Sequence, residues 1–431
     1  MNVTEFATSS FVPAPSSPNG DHLATPVAQK ARIASIDVLR GLAVFGILVM
    51  NIQSFSMIDA AYMNPTAFGD LTGANYGIWL VSHVLADQKF MTIFSMLFGA
   101  GVVLMTGRRE AEGRRSAGLH YRRMAVLLLF GILHAYLLWF GDILYTYAMC
   151  GMIVYLLRHR RPRTLLIVGL MSIAVGSAVT MLFGLSLPHW PAESRQEMMA
   201  EWAPTPEEVA DNLETYRGRW WQQMECRAPS ALGFQTFLFL ALFVWRAGGL
   251  MLVGMALFKL DVFSAKRSIG FYAAWITAAV CVGIPVILYG VHRNFAANWD
   301  MSYSFFLGGE FNYWASILVS MGWISLVMLI CKKGVRWITA PLAAAGQMAL
   351  TNYLLQTIIC TTIFYGHGFG LYGRMERVAQ AGMVVGVWLV ELALSTIWMR
   401  HFLFGPFEWL WRSLTYMQRQ PFLRRPAAHE V

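Results

Sequence analysis

Residues 122–144 read RRMAVLLLFGILHAYLLWFGDIL. Between Arg123 and His134 every residue is apolar or glycine. A run of this kind is close to the ~20 residues a helix needs to cross a ~30 Å hydrocarbon core. It must be a helix, because an open strand cannot satisfy its backbone groups in lipid. Working outward, nine more apolar stretches of similar kind follow or precede it, so that the ten cover residues 37–57, 90–106, 123–140, 143–157, 165–187, 234–258, 269–291, 313–331, 342–365 and 380–399. The fourth is short. Residues 76–85, ahead of the second stretch, read as an amphipathic piece lying on the membrane.

Composition agrees. Of 431 residues, 57% are hydrophobic and only 13% charged, against about 45–50% and about 25% in ordinary globular domains. A free soluble enzyme and a disordered chain are both excluded. The formal net charge of +9 would point to nucleic acid in a soluble protein, but here it follows topology. Arginine and lysine crowd the connections at 108–123, 158–163, 259–267 and 332–336 and the segment after Arg400, whereas the alternate connections are short, neutral or acidic. Residues 188–233 hold eight acidic residues against four arginines. Basic loops stay in the cytoplasm. The fold expected is therefore all-α: a polytopic membrane protein of about ten transmembrane helices with both termini cytoplasmic. Residues 1–32 would be a disordered cytoplasmic tail, 33–415 the helical domain with 188–233 as an extracytoplasmic loop, and 416–431 a cytoplasmic tail. The first apolar segment is expected to serve as its own membrane signal.

The five cysteines show no metal spacing and no disulfide framework. They read as small hydrophobes, with Cys226 a candidate free thiol, and no metal is expected.

Polar residues at membrane depth are functional candidates, with helix–helix hydrogen bonding as the bland rival. In RIASIDVLRGLAVFGILVMNI, residues 32–52, Asp37 and Arg40 share a helix face, and Asn51 lies eleven residues past Arg40. Eleven residues is about three turns, so Asn51 stands over Arg40 about 16 Å further in. The rival reading is an ion pair at a helix mouth plus a packing amide. Arg123 and His134 repeat the same spacing, and a histidine at that depth needs a partner and titrates near neutral pH. Asp142, beside Gly141, would fix the imidazole directly if the helix unwinds there, or act on an acceptor. Asn352 and Gln356 are i, i+4 with Tyr353 adjacent, a substrate pocket or interhelical glue.

Weaker signals remain. His83 and Asp87 beside Lys89 resemble a metal-like or acid–base pair but, with no third ligand, read more simply as a solvated face. Arg246 and Glu391 either pair or face a water-filled cavity. Glu408 is a surface partner for Arg412 or part of a donor entrance. The arginine runs are cytoplasmic flanks that would also attract phosphates, and the glycines at 99–101 and 248–254 are close-packing points rather than a nucleotide loop.

RIASIDVLRGLAVFGILVMNI, KFMTIFSMLFGAG (89–101), HAYLLWFGDILYTYA (134–148), GQMALTNYLLQT (346–357) and GPFEWLWR (405–412) resemble, in order, the bacterial YeiB family of inner-membrane proteins. That family is grouped with the transmembrane acyltransferase superfamily. The resemblance implies a ten-helix core that takes an acyl group, an acetyl group in the first instance, from cytoplasmic acyl-CoA to a hydroxyl or amine acceptor at or beyond the membrane. The superfamily's arginine–ten residues–histidine pattern falls on Arg123 and His134, and its first-helix Asp and Arg fall on Asp37 and Arg40. His83, Arg246 and Glu391 stand outside the pattern.

On this reading Asp37, Arg40 and Arg123 hold the acyl-CoA, while His134, Asp142 and Asn51 are catalytic. Asn352, Tyr353 and Gln356 line the substrate pocket. His134 would be general base or a transiently acylated nucleophile, and Asn51 or Tyr353 an oxyanion donor. The expected partners are the lipid bilayer, acyl-CoA and a glycan, lipid or small-molecule acceptor. Nucleic acid is not expected; a homodimer stays open. The rival class is a transporter or flippase for a small amphiphile or lipid-linked sugar, which would use the buried polar groups as a pathway and no acyl-CoA.

Overall fold

The computed structural model describes residues 33–424. The expected tail at 1–32, and residues 425–431 of the expected C-terminal tail, lie outside the described residues.

Ten helices occupy the ten apolar stretches. They are α1 (Ala34–Ser56), α2 (Lys89–Ala111), α3 (Ala117–Leu137), α4 (Leu144–Val154) and α5 (Pro162–Ser186). The chain continues through α6 (Trp220–Lys259), α7 (Ile269–Ala296), α8 (Met301–Lys332), α9 (Ala349–Phe364) and α10 (Arg377–His401). Among the described residues, seven helical segments are long and apolar enough to cross a membrane, the second of them running from Gly73 through α2. The other three are α3, whose first turns carry arginines, and the shorter α4 and α9. Among the described residues the only strand-like pairing is a bridge between Phe402 and Leu423. The protein is an all-α, polytopic membrane protein.

The inner and outer helices differ as a bilayer requires. The most apolar window of α1 is 72% buried, against 22% for α5 and for α7. Leu129, Leu133, Met171, Leu182, Val280 and Leu389 point outward from α3, α5, α7 and α10, where lipid replaces water and an exposed leucine costs nothing. Cys281 is likewise exposed, while Cys150 and Cys360 are buried and Cys226 and Cys331 half-buried.

Inside, backbones approach closely at small residues, as membrane packing favours. A Cβ at Gly254 of α6 would collide with the Met96 carbonyl of α2, and one at Gly346 with the Asp37 carbonyl of α1. Gly346 belongs to the helix Arg336–Gln347, which lies along α1 and delivers the chain to α9.

Three expectations shift. The polar segment 188–233 is helical: Ala192–Trp202, then Pro206–Arg217, started by a Thr205–Glu208 capping box and a proline in its first turn. Its last part belongs to α6, which begins at Trp220 rather than near 234 and widens to π-helical turns over Phe234–Phe243. The piece before α2, Gly73–Leu85, packs against α10, α7 and α1, and turns into α2 at Gln88, whose φ is 64°. Finally, Glu408 is buried. Its carboxylate accepts from the amides of Leu350 (2.6 Å) and Thr351 (3.0 Å) and from Thr351 Oγ1 (2.6 Å), capping the start of α9 where the helix dipole favours negative charge.

One loop carries a pH dependence. Asp59, in the link after α1, is half-buried with one oxygen sealed and unpartnered. Burial, with Glu201 adding, pushes its carboxyl up from 3.8 to about 7. The folded pKa lies above the unfolded one, so the folded state holds the proton, and stability falls as pH rises from about 4 to about 7. The fall is at most about 4 kcal/mol at about 1.4 kcal/mol per unit. Asp59→Asn is expected to flatten the melting-temperature profile over that window and to be the more stable form at pH 8. Parallel profiles for the two proteins would exclude this origin.

Candidate functional site

The site forms where α3 stops. Both Leu138 and Trp139 donate their amides to the His134 carbonyl (3.0 Å each), and the chain leaves the helix before α4 starts at Leu144. Gly141 packs on the Trp139 indole, and Gly131, one turn before His134, faces Tyr145 N and Asp142 Oδ2 at distances where a Cβ would clash. The hairpin therefore folds Asp142 back onto α3.

The result is a buried relay. His134 Nδ1 lies 2.9 Å from Asp142 Oδ1, with both side chains 1% exposed. Asp142 Oδ2 accepts the Tyr145 amide at 2.7 Å, so one carboxylate joins the start of α4 to the end of α3. A carboxylate only accepts, so Nδ1 donates to it, and in the neutral imidazole Nε2 then keeps its lone pair. Nε2 faces Thr357 Oγ1 of α9 at 3.0 Å. Tyr353, one turn earlier on α9, places its ring 5.1 Å from the imidazole, and its hydroxyl accepts the Ile143 amide at 3.3 Å. Trp139 closes the other side edge-on at 6.4 Å.

The α9 polar residues divide by a rotation of one position. Tyr353 and Thr357 face the histidine. Asn352 and Gln356 face α10 instead: Asn352 Nδ2 donates to Ser395 Oγ (3.0 Å) and the Ala345 carbonyl (3.1 Å), and Gln356 Nε2 donates to Glu391 (2.8 Å). Neither amide touches His134, and both make interhelical hydrogen bonds. Asn51 is half-buried on α1 and makes no side-chain hydrogen bond among the described residues. Arg246 and Glu391 do not pair. Arg246 donates to the Tyr313 carbonyl (3.0 Å) and Ser316 Oγ (2.8 Å).

At the basic end of α3, Arg123 lies 4.4 Å over the Trp411 ring, whose Nε1 donates to the Arg123 carbonyl at 3.0 Å. Arg40 pairs with Asp37 at 3.1 Å. Arg40 and Arg412 both act electrostatically on Arg123. Three guanidiniums, from α1, α3 and the helix Pro406–Tyr416, thus gather at the end that sequence charge assigns to the cytoplasm. Guanidiniums bind phosphate by charge-assisted, often bidentate hydrogen bonds.

The expected groups thus assemble in two places, Asp37, Arg40 and Arg123 at the mouth and His134, Asp142 and Tyr353 inside. Sequence reading missed Thr357 and Arg412. Thr357 carried a signal, since it closes the 346–357 motif and lies four residues after Tyr353. Arg412 enters the sequence reading only as a candidate partner of Glu408, and nothing along the chain places it beside Arg123.

Residues 257–418 match the family described as "Protein of unknown function (DUF418)". The chain is 31% identical to the "Uncharacterized protein YeiB" of Escherichia coli (strain K12) over 403 residues, 91% of this chain and 99% of that protein. It is 33% identical to the "Uncharacterized protein YxaH" of Bacillus subtilis (strain 168) over 422 residues, 93% and 98% of the two. A Bacillus acidopullulyticus protein, "Uncharacterized 39.9 kDa protein in amylase 3'region", is 24% identical over 94% of this chain and 99% of its own length. With two relatives matched nearly end to end at this identity, the chain belongs to the YeiB family.

Proposed function

We propose that the protein is an acyltransferase of the bacterial inner membrane, in the manner of the transmembrane acyltransferase superfamily. It would move an acyl group, acetyl in the first instance, from cytoplasmic acyl-CoA to a hydroxyl or amine acceptor. The observation that carries this reading is the Asp142–His134 pair, sealed at membrane depth with Nε2 aimed at a hydroxyl. A helix clasp needs only one hydrogen bond from an imidazole, whereas here both ring nitrogens are engaged and the carboxylate is itself held by a backbone amide. That is the arrangement of a positioned general base.

The guanidinium cluster suits the anionic end of acyl-CoA. Eleven residues of α3 separate Arg123 from His134, about 16 Å, a span that an extended pantetheine arm covers. His134 Nε2 would take the proton of the attacking hydroxyl or amine, and the Tyr353 hydroxyl, whose own proton is not used by Ile143, would donate to the developing oxyanion.

The test uses full-length protein in lipid nanodiscs. Acetyl-CoA and CoA should raise the melting temperature saturably and ATP should not, and thiol release from acetyl-CoA should be measurable. Arg123→Ala should weaken the CoA response by about tenfold or more, the loss of one charge-assisted contact. A wild-type protein indifferent to CoA would sink the enzyme reading and favour a transporter.

A further inference from the structure

Thr357 of α9 is the third member of the relay. Its hydroxyl stands 3.0 Å from His134 Nε2, and Asp142 Oδ1 stands 2.9 Å from Nδ1. The order carboxylate–imidazole–hydroxyl is the one that activates a nucleophile, recognised by geometry and not by position in the chain. The hydroxyl is otherwise weakly held: its other contact is the Tyr353 carbonyl at 3.4 Å, an ordinary helix back-bond near the limit of hydrogen bonding. The hydroxyl has one proton, and with a neutral imidazole it goes to the lone pair of Nε2 at 3.0 Å rather than to the more distant Tyr353 carbonyl. The residue is 1% exposed, so water is kept from this oxygen.

Tyr353 completes the arrangement. It sits one helical turn from Thr357 on the same face of α9, and the Ile143 amide fixes its oxygen while leaving its proton available. A simple spacer for the histidine would need none of this.

We propose that Thr357 is the acyl-accepting nucleophile, so that the reaction passes through an acyl ester on Thr357 Oγ1. This rests on the acyltransferase reading above and adds a covalent step to it. In the first half, Thr357 Oγ1 attacks the thioester carbonyl carbon and its proton passes to His134 Nε2. The carbon–sulfur bond breaks, and the CoA thiolate takes the proton from the imidazolium and leaves as the thiol. In the second half, the acceptor hydroxyl or amine attacks the ester carbonyl and gives its proton to Nε2. The bond between the acyl carbon and Thr357 Oγ1 breaks, and Oγ1 takes that proton back from the imidazolium. No oxidant, metal or further reactant is needed. Tyr353 donates to the oxyanion in both halves.

The experiment is a quench of full-length protein in nanodiscs after mixing with radiolabelled acetyl-CoA without acceptor, followed by peptide mapping. The wild type should retain one acetyl group per chain on the peptide containing Thr357 and release CoA in a matching burst. Thr357→Ser should move the label to the new serine and keep turnover within about tenfold. Thr357→Val, close in shape, should lose the label and at least about 10²-fold in turnover while still being stabilised by acetyl-CoA. Full turnover by Thr357→Val, or a label on His134, would overturn the proposal and leave the acyltransferase reading standing. Absence of any acetyl-CoA turnover by the wild type would overturn both.

Discussion

Replacing His134 with Ala is expected to abolish acyl transfer, and Asp142→Asn is expected to lower it by about 10³–10⁴-fold, with acetyl-CoA binding retained in both. The two effects have different causes. His134→Ala removes the only group placed to move the proton. Asp142→Asn keeps the shape but exchanges a carboxylate that only accepts for an amide that also donates. The Tyr145 amide at 2.7 Å needs an acceptor, so the Asn oxygen turns toward it and the NH2 faces Nδ1. The imidazole must then accept at Nδ1 and carry its proton on Nε2, where it cannot serve as a base. Loss of the correct tautomer in a comparable relay costs about 10⁴-fold. The measurement is CoA release at saturating acetyl-CoA, with the melting-temperature response to CoA as the control for binding. An Asp142→Asn variant within threefold of wild type would show that the carboxylate does not set the tautomer.

The largest effect on stability is expected away from the site. Lys89, at the start of α2, is fully buried. Its ammonium donates to the His83 carbonyl at 2.7 Å and to Asn312 Oδ1 at 2.5 Å. Asn312 Nδ2 in turn donates to Asp87 Oδ2 at 2.8 Å, and His83 Nδ1 lies 3.2 Å from the same oxygen. The residues that sequence reading gave to a solvated face thus form a closed network joining Gly73–Leu85, α2 and α8. Asp87 and Lys89 do not touch but are bridged by the Asn312 amide, and removing one of two such buried charges leaves the other uncompensated, at up to about 3–5 kcal/mol. Asp87→Ala should therefore lower stability by that amount, and adding Lys89→Met should recover a large part of the loss, because the stranded charge goes with it. Thermal or denaturant unfolding in one lipid environment reads both. Equal melting temperatures for wild type and Asp87→Ala would show that the network carries no net stability.

Much of this protein is legible along the chain. Ten apolar stretches suffice for ten helices, because lipid admits few backbone solutions. The eleven-residue spacing of Arg123 and His134 is likewise a property of one helix, so it holds whatever surrounds it. Asp142 was within reach of inference only because Gly141 offers a break in the helix.

Contacts between helices are another matter. Asn352 and Gln356 look like the working residues of α9 because amides are conspicuous in lipid, yet they are the ones that bind α10. Tyr353 and Thr357, 100° around the same helix, are the ones that meet His134. No local pattern distinguishes the two faces. The choice depends on how α9 is rotated against α3, which is set by remote constraints: the Glu408 cap at its first turn, the close approach of Gly346 to α1, and the hydrogen bonds to Ser395 and Glu391. The same holds for Arg412, brought beside Arg123 by the Trp411 indole bonding to the α3 backbone. Helix number and the spacing of polar groups along each helix follow from the one-dimensional pattern, since each is a property of a single segment. The partner of each polar group is a property of pairs of segments, and only the packed bundle decides it.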